Sequence, residues 1–314
     1  MGSDGRTAGP RAAGLLAVLA VLMAAGCGPA ATAAGHQHGE SASPRPGSPG
    51  GRPGTPSRPS PTPAPAPAPA PATATVVLSR FRAADGSVVT LAAFAGPVSF
   101  RLHAGSGDPG YPALSVLHAG PVIGPGEHRR LLAAFNGGFK LSAGAGGYEQ
   151  EGHVISPLIP GMASLVIDRS GAAAIGVWGR GLPRPGEAVE SVRQNLTMLV
   201  NHGQVTAAAA DWGLWGATLG GGEFVARSAL GQDAAGQLIF AGSMSASPAD
   251  LAAALIRAGV VKGMELDINP EWVQLDVAGH PGHALTAAIP GQQRPADQYL
   301  IGWIRDFITV LAPP

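Results

Sequence analysis

Three stretches of this sequence carry side chains suited to a phosphorylated or hydroxyl-rich ligand: Asn136-Gly137-Gly138, Arg227-Ser228, and the run from Asp267 to Trp272. Each leads apolar residues into a polar group beside a turn-former, the pattern of strands delivering side chains to a shared cleft. The Asn136 amide both donates and accepts, which suits a sugar hydroxyl or a phosphate oxygen. Gly137 and Gly138 let the backbone turn tightly and approach a ligand closely; a plain turn with Asn at its corner is the alternative. The planar fork of Arg227 matches a phosphate, with Ser228 donating to the same anion, or else Arg227 pairs with Glu223 or Asp267. In Met264 to Asn269, alternation puts Met264, Leu266 and Ile268 on one face of a strand and Glu265, Asp267 and Asn269 on the other. Asp267 is the best acid/base candidate. Glu271 supplies a second carboxylate and Trp272 a flat surface for a sugar ring.

In order and spacing, Asn136-Gly137-Gly138-Phe139, Arg227-Ser228-Ala229-Leu230-Gly231 and Leu266-Asp267 resemble the signature segments of the phosphodiester glycosidase family. That family reads Asn-Gly-Gly-Phe, Arg-Thr/Ser-Ala-Ile/Leu-Gly and Leu-Asp-Gly-Gly-Gly-Ser; here Ile268-Asn269-Pro270 replaces the third segment's glycines. The resemblance covers roughly residues 75–310. It implies an α+β domain that hydrolyses a sugar from a sugar-1-phosphodiester and leaves a phosphomonoester. Under it, Arg227 holds the phosphate, Asp267 or Glu271 acts as acid/base, and Asn136, Gly137, Gly138, Ser228, Asn269 and Trp272 bind substrate. The alternatives are a glycan- or glycan-phosphate-binding module on the same fold, and a tethered structural domain with no small-molecule site.

Composition narrows the field. Net charge is zero over 314 residues, without the basic footprint of a nucleic-acid binder. The single Cys rules out an intramolecular disulfide or a cysteine metal cluster. No P-loop, Rossmann or Gly-x-Ser-x-Gly pattern sits in a fitting context. His280 and His283 lack a third metal ligand nearby, so no cofactor is implied, a carboxylate-bound divalent cation staying open. His36 and His38 fall in a polar arm and read as solvated.

The N-terminus reads as an export signal over residues 1–27. Arg6 and Arg11 precede an apolar run from Leu15 to Met23, too short for a comfortable membrane span. Ala24-Ala25-Gly26-Cys27 resembles a bacterial lipobox, which would lipidate Cys27 and anchor the protein to the outer face of the cytoplasmic membrane; simple secretion, with cleavage near residues 31–34, is the alternative. Residues 28–74 are mostly Gly, Ser, Pro, Ala and Thr, ending in alternating Pro-Ala, with almost no large apolar side chain, a composition that cannot bury enough apolar surface to fold. They form a semi-rigid stalk.

The globular part spans 75–314, with hydrophobic content ample for one core. Val76–Phe81 and Ser87–Phe94 read as a hairpin about Asp85-Gly86, and Met162–Asp168 with Ala172–Val177 as another about Arg169-Ser170-Gly171. Val98–His103, Leu114–Leu117 and Leu238–Phe240 read as strands. Pro248–Ala258 is the clearest helix, capped by Ser247 and Asp250 and stopped by Gly259. Gly126–Leu132 reads as a short helix, and Leu300–Leu311 as a helix or a buried strand. Tyr148-Glu149-Gln150-Glu151 reads as a loop that could serve as a lid, Trp212 and Trp215 as stacking or packing aromatics, and Asn195-Leu196-Thr197 as a sequon. The class is α+β: one domain with a curved, mixed or antiparallel sheet and few helices.

Overall fold

The computed structural model describes residues 73–216 and 221–314; the export signal, Cys27 and residues 28–72 of the stalk lie outside them. Among the described residues, eighteen strands build three sheets, and helices are few. The class read from sequence holds, with the strands divided among three sheets.

The seven-stranded sheet orders β1 (Thr75–Arg82), β2 (Val88–Ala95), β14 (Leu238–Ala246), β13 (Val225–Asp233), β15 (Val260–Glu265), β11 (Met198–Asn201) and β12 (Gln204–Val205). The six-stranded sheet orders β6 (His153–Ser156), β5 (Tyr148–Gln150), β10 (Val189–Gln194), β7 (Ala163–Asp168), β8 (Ala173–Trp178) and β9 (Gly181–Leu182). The five-stranded sheet orders β17 (Leu285–Ala287), β16 (Leu275–Ala278), β4 (Leu131–Asn136), β18 (Phe307–Leu311) and β3 (Ser99–His103). Neighbours pair antiparallel except β8 with β9. The first hairpin pairs Val76 with Phe94 and Phe81 with Val89, and Gly86 takes the left-handed φ of +89° that its turn requires.

Each sheet contributes to the main core, where Phe94, Phe135, Phe240, Leu165 and Ile175 meet. Phe135 stacks on Phe94 at 5.6 Å and tilts on Phe240 at 5.2 Å. The other side of the seven-stranded sheet is covered by α2 (Pro248–Arg257), through Leu251 and Leu255, and by Trp215. All six residues of β4 are buried, which explains its continuous apolar run in the middle of a sheet. That strand corrects the helix read over Gly126–Leu132: the helix α1 is Pro125–His128 only, and the chain is extended from Leu131. Leu114–Leu117 is likewise not a strand. Pro112 leads into a 3₁₀ turn at Ala113–Ser115, and Ser115 Oγ donates back to the Pro112 carbonyl. Tyr148–Gln150 is strand β5, with the Tyr148 hydroxyl donating to Gln150 in the interior, so no lid forms there. The last segment resolves into a short helix α3 (Gln298–Ile301) and the buried strand β18. No helix among the described residues is long and apolar enough to cross a membrane.

The reading of α2 holds in detail. Ser247 Oγ accepts from the Asp250 N–H at 3.1 Å, Asp250 Oδ2 accepts from the Ser247 N–H at 3.2 Å, and Gly259 ends the turn at φ +90°. Replacing Ser247 by Ala should cost about 1 kcal/mol and lower Tm by about 2–4 °C, measured by calorimetry; an unchanged Tm would mean that the cap contributes nothing to the fold.

Candidate functional site

The chemistry-bearing residues gather where the sheets meet, but they divide into those that face a cleft and those that build it. The cleft has a volume of about 1240 Å³, and Asp267, Asn269, Glu271 and Trp272 line it with Lys140. Asn136, Gly137, Gly138, Arg227 and Ser228 lie behind its wall, each buried.

Asn136 sits at the end of β4, beside Ser228 of β13 and Asp267 just past β15. Its amide nitrogen donates to Ser228 Oγ at 2.8 Å and to the Gly137 carbonyl at 2.9 Å, while its oxygen accepts from the Gln274 N–H at 3.1 Å. Both amide hydrogens are occupied. Ser228 Oγ also accepts from the Asp267 N–H at 3.1 Å and donates to the Asp267 carbonyl at 3.3 Å. The three sequence segments therefore do converge, through Ser228. Neither Asn136 nor Ser228 has a hydrogen left for a ligand, which corrects their reading as substrate-binding groups. They hold the backbone of Asp267 instead.

The paired glycines make room for a buried ion pair. A Cβ on Gly137 would stand 2.0 Å from Asp306 Oδ2, and one on Gly138 would stand 2.9 Å from the Arg193 guanidinium carbon. Arg193 Nε donates to Asp306 Oδ2 at 2.7 Å, with both side chains almost wholly buried. The Gly137 N–H donates to the Asp306 carbonyl at 2.9 Å and the Gly138 N–H to Asp306 Oδ2 at 3.3 Å. The close approach read from Gly137-Gly138 is real, and its object is Asp306 and Arg193.

Arg227 is also committed elsewhere. It is 0% exposed and pairs with Glu265 at 2.7 Å. It donates further to the carbonyls of Ala246 at 3.0 Å, Trp215 at 3.1 Å and Glu223 at 3.3 Å. A phosphate in the cleft cannot reach a guanidinium so enclosed, which corrects its assigned role. The salt-bridge alternative, read with Glu223 or Asp267, occurs with a different partner, Glu265. Glu265 Oε2 is buried with no hydrogen-bond partner. Burial, opposed by Arg227 and reinforced by the Asp267 charge, pushes the Glu265 carboxyl up to about 8.

Asp267 is the buried carboxyl that reaches the cleft. Its Oδ1 accepts from the Ile268 N–H at 2.7 Å and the Asn269 N–H at 2.9 Å. Oδ2 has Arg305 Nη2 at 3.8 Å. Burial raises this carboxyl to about 7, against the pull of the Asn269 N–H, Arg305 and the Ile268 N–H. A carboxyl poised near neutrality in a cleft can give or take a proton under ordinary conditions. Arg305 itself pairs with Asp108, donates to the Gly138 carbonyl at 2.8 Å and lies 4.7 Å from the centroid of the Trp272 ring. Exposed Lys140 lies at the same 4.7 Å from that ring. Of the two cations beside the indole, Arg305 is buried and Lys140 is exposed, so the Lys140 side is the one open to solvent. Glu271 is more than half exposed and pairs with Arg294 at 2.8 Å, a contact of little energetic weight. Asn269 Oδ1 accepts from the Glu271 N–H at 2.9 Å, shaping the turn on which all four cleft residues ride.

Sequence reasoning missed Lys140, Arg193, Asn195, Arg305 and Asp306. Asn195, read as a sequon, is fully buried: its amide donates to the Glu265 and Leu266 carbonyls at 2.9 and 3.0 Å and accepts from the Phe139 N–H at 3.0 Å. The signal for Arg305-Asp306 was an opposite-charge pair immediately before a buried strand. Trp215 is a packing anchor whose Nε1 donates to the Ala208 carbonyl at 2.8 Å. No cluster of metal-ligating side chains occurs among the described residues.

No family model matches the chain, and no curated protein sequence does. Among solved structures it is similar to the pro-peptide-inhibited catalytic domain of zebrafish N-acetylglucosamine-1-phosphodiester alpha-N-acetylglucosaminidase, at 14% identity and a TM-score of 0.48, over 79% of this chain and 85% of that one. It is also similar to a hypothetical protein from Synechocystis, at 13% identity and a TM-score of 0.46, over 77% of this chain but only 62% of that one. A third similar structure, entitled as an exported protein of Burkholderia pseudomallei, has 14% identity and a TM-score of 0.38, with 72% and 74% covered.

Two outcomes follow from the buried charges. Arg227→Met should destabilise the domain by about 3–5 kcal/mol, because Glu265 is left buried and unpaired; adding Glu265→Met should restore much of it in chemical denaturation. A single variant as stable as the parent would mean that the pair is not structural. The second concerns pH. Asp267 and Asp276 are raised to about 7 and Glu265 to about 8, all by burial. Their unfolded values lie near 4. The stability they give is complete below the unfolded value and is lost as pH rises through the folded ones, at up to ~1.4 kcal/mol per pH unit for each carboxyl. Tm should therefore fall from about pH 4 to about pH 8 and level off above that; a flat or rising profile across that window contradicts the assignment.

Proposed function

We propose that this domain is a hydrolase that releases a sugar from a sugar-1-phosphodiester in a cell-wall or surface glycan. The observation that carries the reading is Asp267: a carboxyl raised to about 7, in a cleft it shares with a lysine, an amide and an indole. The resemblance of the three sequence segments supplies the reaction class. In its ionised form, Asp267 takes a proton from a water that attacks the anomeric carbon. The bond from that carbon to the phosphate oxygen breaks, and its electrons stay with the phosphate. Lys140 meets the departing phosphate in place of Arg227. Asn269 and Trp272 hold the sugar, and Glu271 stands at the mouth as the second carboxylate. Asn136, Ser228, Arg193 and Asp306 act through the backbone they fix.

The export signal and Cys27 extend this reading to display on a Pro/Ala stalk outside the cytoplasmic membrane. A second reading, glycan binding without turnover, is favoured by one observation: Asn136, Arg227 and Ser228, which carry most of the family resemblance, are all occupied by protein groups.

Incubation with sugar-1-phosphodiesters, followed by chromatography of free sugar and phosphomonoester, decides between them. The hydrolase reading expects turnover that Asp267→Asn lowers by about 10²–10⁴-fold, while Lys140→Ala chiefly raises KM. Binding by the parent protein with no product from any such diester would leave the glycan-binding module.

A further inference from the structure

The cleft extends well beyond the polar groups that the proposed reaction uses. Its volume of about 1240 Å³ exceeds the ~300–1,000 Å³ typical of small-molecule sites. Its three charged lining residues, Lys140, Asp267 and Glu271, cluster about Trp272: Lys140 lies 4.7 Å from the indole, and the others belong to the same short segment. Among the described residues, the rest of the lining carries no charged side chain.

That uncharged part is a built apolar surface. Phe139, Ala145 and Ile268 pack as one cluster, with Leu196 and Val225 against it, and all five line the cleft. Gly216 closes over them without a side chain, since a Cβ there would stand 2.7 Å from Ile268 and 2.8 Å from Phe139. Leu214 extends the wall outward and is 57% exposed. A cleft lined by apolar residues on one part and offering a lysine on the other is complementary to a ligand with a hydrocarbon tail and an anionic head.

We propose that the phosphodiester substrate carries a long-chain alcohol on its phosphate: the sugar lies by Asp267 and Trp272, the phosphate by Lys140, and the hydrocarbon along Phe139, Leu196 and Leu214. This rests on the hydrolase reading for its sugar end and names the other end. Water supplies the hydroxyl to the anomeric carbon and a proton to the phosphate, so the products are the free sugar and an alkyl phosphate.

The test has a binding arm and a turnover arm. By titration calorimetry, octyl phosphate should bind at least about tenfold tighter than methyl phosphate, a fraction of what seven methylenes give on full burial because the cleft is open. Leu214→Asn, at an exposed position, should shrink that ratio. Equal affinities for the two phosphates overturn the proposal. With octyl and methyl diesters of one sugar, KM should be lower for the octyl compound. Turnover of both at equal KM overturns the apolar subsite and keeps the hydrolase. No turnover of either, with octyl phosphate still preferred, removes the hydrolase and keeps the subsite.

Discussion

The Arg193–Asp306 ion pair is the contact on which the rest of this domain depends. Arg193 is the next-to-last residue of β10 in the six-stranded sheet, and Asp306 immediately precedes β18 of the five-stranded one. The loop after β4 wraps around the pair, giving two N–H groups and one carbonyl to Asp306 and Arg305. Charges so deeply buried are tolerated only with full pairing and hydrogen bonding. That requirement forces two consecutive residues without side chains, Gly137 and Gly138, at the point of closest approach.

From that anchor the third sheet is joined by uncharged contacts. Asn136 reaches Ser228 of the seven-stranded sheet, and Ser228 holds the backbone on both sides of Asp267. The guanidinium groups of Arg193, Arg227 and Arg305 face the carboxyls of Asp108, Glu265, Asp267 and Asp306. Carboxyls outnumber guanidiniums by one, so a retained proton brings the buried cluster to neutrality. Burial favours the neutral form most at Glu265, which has an oxygen without a partner, and at Asp267.

Local rules made part of this legible in the sequence. The hairpin at Asp85-Gly86 and the capped helix after Ser247 follow from turn and cap chemistry within a few residues, and both occur. Of the strand read over Met264–Asn269, β15 holds only Met264 and Glu265; Asp267 lies past its end, and alternation could not say that Glu265 meets Arg227 while Asp267 meets the cleft. What local pattern cannot encode is who partners whom across the chain. Arg193 and Asp306 are separated by 113 positions, and Asn136 and Ser228 by 92. Arg227 looked like a ligand group because its neighbours are small and apolar. Its partner lay on a strand whose approach depends on α2. The run Leu131–Phe135 was lent to a helix at its start because burial on both faces erases alternation.

The placement of β18 has a consequence for how such a chain is made. This strand comes last among the eighteen, yet it lies between β4 and β3, in the interior of its sheet, with Asp306 at its threshold. A ribosome delivers the polypeptide N-terminus first, so the sheet keeps an open slot until nearly all of the domain has emerged. Until then Arg193 has no counter-ion and the paired glycines nothing to enclose. That order makes the final insertion of β18 the event that locks the structure.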